Sequence, residues 1–321
     1  MSPGQTGTLD PLFILAPPLG CSWNLCAALG QHPQMYGLPE THLLIAQGVA
    51  EWLQLSTDST FTMHHGLLRA LAELMYGEQT DSAIQLAAAW LRRRSHVTTG
   101  FVMETLVERA HPRIVVEKSP SMVYEEKSMR RAIQMFPRAT FLYVVQHPRA
   151  YGEAVLGTIR EMSKAGALPA CHWLMQLAGM PAANEKGVMT ADHPVDPQRG
   201  WYVLNRNICD FLDMVPQRQK MWIRAEALRT NPDAVLRKIV TWMGLPATPD
   251  CLAAMRHPER SPFAGAGPQT ALFGTDLFLP KPDLALDSSE LCSLEGPLSW
   301  LSEGRTFTPE VKQLAQKFGY S

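Results

Sequence analysis

The stretch Leu12-Phe-Ile-Leu-Ala-Pro-Pro-Leu-Gly-Cys-Ser-Trp-Asn-Leu-Cys-Ala-Ala28 decides the fold of this 321-residue chain. Its apolar run, Leu12 to Ala16, lies between Pro11 and Pro17-Pro18 and is too short for a stable helix, so it reads as a buried strand. Ser22 then caps a helix through Ala28, which Gly30-Gln-His-Pro33 stops. A strand, a tight turn and a helix N-terminus in one stretch present free backbone N–H groups and a positive dipole end to an anion.

Outward from this stretch, Arg113-Ile-Val-Val-Glu117 and Thr140-Phe-Leu-Tyr-Val-Val145 are β-branched apolar runs ended by Ser119-Pro120 and His147-Pro148. A helix from about Val123 to Gln134 separates them, which makes a right-handed βαβ unit. Apolar positions at three- and four-residue spacing predict helices over 43–55, 64–77, 80–95 and 100–111, a helical insertion spanning 43–111. Further helices are predicted from Ala150 to Lys164, Trp201 to Val215 and Asn231 to Met243, with a strand from Lys220 to Arg224. Residues 165–197, rich in Gly, Pro and Ala, form a candidate lid or substrate loop, and the chain beyond Pro258 reads as loop-rich. Alternating strands and helices without internal repeats indicate one α/β domain over 1–321, a central parallel sheet flanked by helices.

Apolar residues make up 46% and charged residues 18%, with net charge −1 and a pI near 6.8, which argues against disorder and against a basic nucleic-acid surface. The sequence has neither a signal-like N-terminus nor an apolar run long enough to span a membrane. Cys21, Cys26, Cys171, Cys209, Cys251 and Cys292 fall at unrelated spacings, the usage of reduced thiols in cytoplasm. The ten histidines include no HxxxH or HExxH pattern, so no metal site is expected. Oligomeric state leaves no mark on the sequence.

Several segments, in order, resemble the sulfotransferase family, whose members transfer a sulfuryl group from 3′-phosphoadenosine-5′-phosphosulfate (PAPS). Phe13-Ile-Leu-Ala-Pro-Pro-Leu-Gly-Cys-Ser-Trp23 stands at the family's first strand and 5′-phosphosulfate loop, and Gly30-Gln-His-Pro-Gln-Met-Tyr-Gly-Leu-Pro-Glu-Thr-His42 resembles the family's segment after that loop. Val116-Glu-Lys-Ser-Pro120 and Phe136-Pro-Arg-Ala-Thr-Phe-Leu-Tyr-Val-Val-Gln-His-Pro-Arg149 resemble the central strands, the second leading into the 3′-phosphate motif. Arg224-Ala-Glu-Ala-Leu228 and His257-Pro-Glu-Arg-Ser-Pro-Phe-Ala264 resemble C-terminal segments of bacterial small-molecule members. The resemblance implies a P-loop-like sulfotransferase fold.

The nucleotide motifs depart from that pattern. Where the family places a cation, a close-approach glycine and hydroxyls, this chain reads Leu19, Gly20, Cys21, Ser22 and Trp23, and only Ser22 matches. The 3′-phosphate Arg and Ser are replaced by Gln146 and Ala154, with Arg149 three positions on as a substitute cation. Each lost charge-assisted bond costs about 1.5–3 kcal/mol, so the nucleotide site is degenerate. Gly20, Cys21, Ser22, Trp23 and Arg149 remain the nucleotide-binding candidates if an anion is still bound.

On the acceptor side, the resemblance makes Glu40 the general base and Lys118 the cation at the transferring group, and His42, His64 and His65 add acid–base or orienting candidates. Each has a plain alternative: a solvated loop carboxylate, a strand-end ammonium, a buried histidine. Cys21 at a helix N-terminus could be a nucleophile or a small buried filler, and Trp23 is expected to plug the vacated phosphate pocket. Three functions stay open. The first is an enzyme repurposed for PAPS-independent elimination, cyclisation or acyl transfer on a small-molecule or acyl-carrier-bound substrate, without a cofactor. The second is a divergent PAPS-dependent O-sulfotransferase using Arg149, Arg224 or Arg260. The third is a partner-binding protein without catalysis.

Overall fold

The computed structural model describes residues 10–58, 63–164, 196–275, 281–284, 293–302 and 304–321. Five strands, β1 (Leu12–Leu15), β2 (Met35–Gly37), β3 (Ile114–Glu117), β4 (Thr140–Val145) and β5 (Lys220–Arg224), pair in the order β2-β3-β1-β4-β5. Every pairing is parallel, with Leu12 opposite both Val116 and Thr140. Successive strand residues point to opposite faces, and both faces are apolar because helices cover both. Phe13, Leu15, Val115, Phe141, Tyr143 and Val145 enter one core. Leu12, Ile14, Val116, Leu142 and Val144 enter the other. In the first core Phe13 stacks on Phe141 at 5.7 Å, and Phe141 meets the edge of Phe211 at 5.0 Å.

The helices are α1 (Ser22–Leu29), α2 (Val49–Asp58), α3 (His64–Tyr76), α4 (Asp81–Arg93), α5 (Thr99–Ala110) and α6 (Glu126–Met135) in the first half. They continue as α7 (Pro148–Lys164), α8 (Pro197–Asp213), α9 (Ala225–Thr230), α10 (Pro232–Trp242), α11 (Pro249–Met255) and α12 (Pro309–Lys317). Side chains of Thr80, Thr98, Asn231 and Thr248 accept a first-turn N–H of α4, α5, α10 and α11 and set where those helices begin. Among the described residues no helix is long and apolar enough to cross a membrane.

Several boundaries correct the sequence reading. The expected helix over 43–55 is a 3₁₀ turn, Leu43–Ile45, followed by α2, because the chain is extended at Ala46 and pairs with Thr98 through Gly48. The three-residue β2 gave too short a pattern to detect, and α9, α11 and α12 also went unread. The proposed lid at 165–197 lies outside the described residues except for its last two positions.

Strand order places the crevice of the sheet between β1 and β4. From β1 the chain turns toward β2 and β3, whereas from β4 it turns toward β5. In open α/β sheets ligands bind at the carboxyl ends of the strands where this reversal occurs.

Candidate active site

The loops that leave the carboxyl ends of β2 and β3 bring Glu40 and Lys118 together. Leu38-Pro39 carries Glu40 past the end of β2, and its N–H donates to the Gly274 carbonyl at 2.7 Å. A Cβ on Gly66 of α3 would lie 2.0 Å from the Glu40 carbonyl oxygen, so the helix passes at a distance only glycine permits. Lys118, the residue after β3, is 4% exposed and donates from Nζ to Glu40 Oε1.

His42 completes this cluster. Its Nε2 lies 3.4 Å from Glu40 Oε2, and its Nδ1 is 2.7 Å from Ser121 Oγ. The backbone there is left-handed, φ 51°, an unusual conformation for a side-chain-bearing residue. It is held by the His42 N–H donating to Ser119 Oγ at 2.9 Å and by Trp52 Nε1 donating to the His42 carbonyl at 3.0 Å. Beneath it Glu117, 1% exposed, accepts Thr41 Oγ1 at 2.9 Å, the Ser119 hydroxyl and the Ser119 N–H at 3.2 Å.

The two carboxyls are driven in opposite directions. Burial works to raise Glu40, but the Lys118 ammonium and the His42 contact outweigh it and hold the group at about 2. Glu117 is served by hydrogen bonds from Ser119 and Thr41 and by the nearby His42, yet burial raises its carboxyl. Paired acids whose environments separate them in this way are a signature of proton-transfer sites. Tyr124 and Tyr151 extend the cluster toward α7: burial raises both phenols, assisted by the Glu40 charge at Tyr124 and by Tyr124 at Tyr151.

Around the β1–α1 loop the backbone is left-handed at Leu19 and Cys21. At Gly20 a Cβ would lie 3.2 Å from the Pro17 carbonyl and 3.6 Å from Gln146 Oε1. Cys21 does not stand alone, because Arg229 of α9 donates to its sulfur from Nη2 at 3.0 Å and Nε at 3.2 Å. Ser22 opens α1 and is buried, and Trp23, 2% exposed, packs into the core that contains Phe13 and Leu15.

At the end of β4, Gln146 is 6% exposed and its carbonyl accepts Trp201 Nε1 at 2.9 Å. Arg149 is directed at the C-terminal segment. It donates to the carbonyls of Ser293, Pro297 and Glu295 at 3.1, 2.9 and 2.8 Å and to Gly296 at 3.5 Å, and lies over Phe307. Arg224 lies over Tyr320.

His65 is engaged by the loop at Phe273. Its Nδ1 accepts the Phe273 N–H at 3.2 Å and its ring stacks on Phe273 at 5.8 Å, while burial, His64 and Arg69 bring it down to about 4. The adjacent turn of α3 supplies Arg69, 2% exposed, which donates to the carbonyls of Phe273, Phe263 and Gly265 at 3.1, 3.3 and 3.4 Å and to Gln79 Oε1 at 2.7 Å. His65 and Arg69 thus hold the loop whose Gly274 carbonyl anchors Glu40.

Sequence reasoning named Glu40, Lys118 and His42 but missed Thr41, Glu117, Ser119, Ser121, Tyr124, Tyr151 and Arg229. Glu117 and Ser119 flank Lys118 in the quoted motif and were within reach; Tyr151 and Arg229 carry no local signal. Among the described residues no three His, Cys, Asp or Glu side chains gather as a metal ion would require.

Residues 11–250 match the family model described as the sulfotransferase family. The sulfotransferase domain from the curacin biosynthetic pathway superposes with a TM-score of 0.72 at 20% identity, covering 98% of each chain. The sulfotransferase domain of the Synechococcus PCC 7002 olefin synthase superposes with a TM-score of 0.68 at 21% identity, covering 98% of this chain and 96% of that one. At these identities the likeness is one of fold. No curated protein sequence matches significantly.

Proposed function

The chain belongs to the sulfotransferase family, and from that premise we propose that it is an enzyme of small-molecule specialised metabolism that performs acid–base chemistry at Glu40, Lys118 and His42 without PAPS. The substrate class is a hydroxylated small molecule or carrier-bound acyl group, and the reaction an elimination, cyclisation or acyl transfer. The setting rests on the similarity to domains of the curacin pathway and an olefin synthase.

One observation carries the reading: two of the cations on which a bisphosphate nucleotide would draw, Lys118 and Arg149, are engaged elsewhere. Lys118 is paired with Glu40, Arg149 is bound to C-terminal carbonyls, and neutral Gln146 stands at the end of β4. A carboxylate held at about 2 is a weak base, so the resting pair is a latent one. A substrate oxygen that takes the Lys118 ammonium leaves Glu40 buried with less opposing charge, which raises its basicity as the proton is to be removed. Lys118 then stabilises negative charge on that oxygen, and His42, fixed between Glu40 and Ser121, orients the carboxylate.

The alternative, PAPS-dependent transfer to a hydroxyl, has the Arg229 guanidinium at the loop in its favour. Hydroxyacyl pantetheine thioesters incubated with and without PAPS and followed by mass spectrometry separate the two. The expected result is a product that forms without PAPS and is lost in Glu40→Gln. A product carrying a sulfuryl group, formed only with PAPS, would overturn the proposal.

A further inference from the structure

Of the two carboxyls in the acid–base cluster, Glu117 has no part in the chemistry proposed above. It is 1% exposed and ends a strand whose other residues, Ile114, Val115 and Val116, are apolar and buried. Burying a carboxyl costs free energy that another apolar side chain would not, so its use is to be sought in what it holds.

Glu117 holds two hydroxyls. Thr41 Oγ1, at 2.9 Å, and the Ser119 hydroxyl both donate to Oε1, and the Ser119 N–H donates to Oε2 at 3.2 Å. A hydroxyl has a single hydrogen, and with that hydrogen given to Glu117 the oxygen meets its other neighbours as an acceptor. Ser119 Oγ accordingly accepts the His42 N–H at 2.9 Å, and Thr41 Oγ1 accepts the Leu43 N–H at 3.5 Å. These are the two N–H groups that bracket the His42 Cα, where φ is 51°. A residue with a side chain keeps that left-handed backbone only where its surroundings impose it. Trp52 fixes the His42 carbonyl and Ser121 the Nδ1, which leaves Nε2 toward Glu40 Oε2.

We infer that Glu117 is a positioning residue: by directing the Ser119 and Thr41 hydroxyls it keeps His42 in the left-handed conformation that aims its ring at Glu40. One strand end then sets both partners of Glu40. Glu117, Ser119 and Ser121 settle His42, while Lys118 between them pairs with the carboxylate itself. The inference rests on the function proposed above only for what that aim contributes to catalysis.

The test is amide exchange and ring-nitrogen NMR of the full chain, which need no substrate. Glu117→Met removes the acceptor at similar length, and Glu117→Asp keeps the charge but withdraws it by one methylene, so one serves if the other fails to fold. In both, exchange at the His42 N–H is expected to quicken about threefold to tenfold relative to the N–H groups of β1 and β4, which report opening of the whole fold. The His42 ring nitrogen resonances should shift with it. Ser119→Ala should do the same, and Glu117→Gln, which keeps an oxygen for the hydroxyls, should lie nearer wild type. A carboxyl with only a structural role would instead quicken exchange throughout the sheet alike. His42 exchange unchanged relative to the sheet, in a folded Glu117→Met or Glu117→Asp chain or in Ser119→Ala, overturns the inference. The acid–base reading fails separately, by turnover retained in Glu40→Gln.

Discussion

Replacing Lys118 by Met removes the ammonium from Glu40 while keeping an unbranched side chain of similar bulk. In the native protein the Glu40 carboxyl sits at about 2 against an ordinary 4.5, with its side chain 14% exposed. Without the ammonium, burial is the largest remaining influence, and the group should titrate at or above 4.5. At about 1.36 kcal/mol per tenfold change in ionisation, that is a loss of roughly 3 kcal/mol at neutral pH, in line with breaking a buried ion pair by removing one partner. The pH window follows from the direction of the shift. A depressed carboxyl stabilises the fold above its unfolded value and loses that contribution as pH falls from 4.5 toward 2. Urea unfolding of wild type and Lys118→Met should therefore differ by about 3 kcal/mol at pH 7, with the gap closing below pH 4.5. The double variant with Glu40→Gln should recover much of the loss, since no buried charge is then left alone. Carbon-13 titration of the glutamate carboxyls gives the same quantity directly. A Glu40 that still titrates near 2 in Lys118→Met, or equal stabilities at pH 7, would refute the reasoning.

Two further expectations concern the support beneath the site. Arg69→Met strands three loop carbonyls and the Gln79 side chain, so it should cost about 3 kcal/mol or more and speed amide exchange at the Glu40 N–H. Arg69→Lys should recover part of both, and unchanged exchange at Glu40 would show that the guanidinium does not hold its loop. Burial lowers His65 and His147 to about 4, so each remains neutral in the fold where the unfolded chain takes up a proton. Stability should fall by about 1–3 kcal/mol per ring as pH drops from 6.5 to 4. His65→Phe keeps the stack on Phe273 and should flatten that slope; an identical pH profile in the variant would count against it.

How legible the fold was depended on the length of each pattern. β1, β3 and β4 carry apolar runs buried along their length, and Thr140–Val145 was read to the residue. β2 has three residues and acquires its geometry from pairing with β3, information that lies elsewhere in the chain. Glu40 and Lys118 were legible through motif resemblance, but their pairing was not. Two positions 78 apart in sequence meet only because β2 and β3 are neighbours in the sheet. His65 looked like acid–base equipment because a histidine pair resembles one; only the backbone of Phe273 shows what its ring does.

The internal commitments of Lys118, Arg149 and Arg229 bear on how a ligand arrives. A cationic funnel draws oppositely charged molecules from solution and loses that pull when salt is added. Here the Lys118 ammonium is neutralised by the Glu40 carboxylate, whereas the two guanidiniums keep their charge, one held by carbonyls and the other on sulfur. The Lys118–Glu40 pair then adds little net charge to draw a ligand from solution, so any pull that salt weakens must come from the guanidiniums.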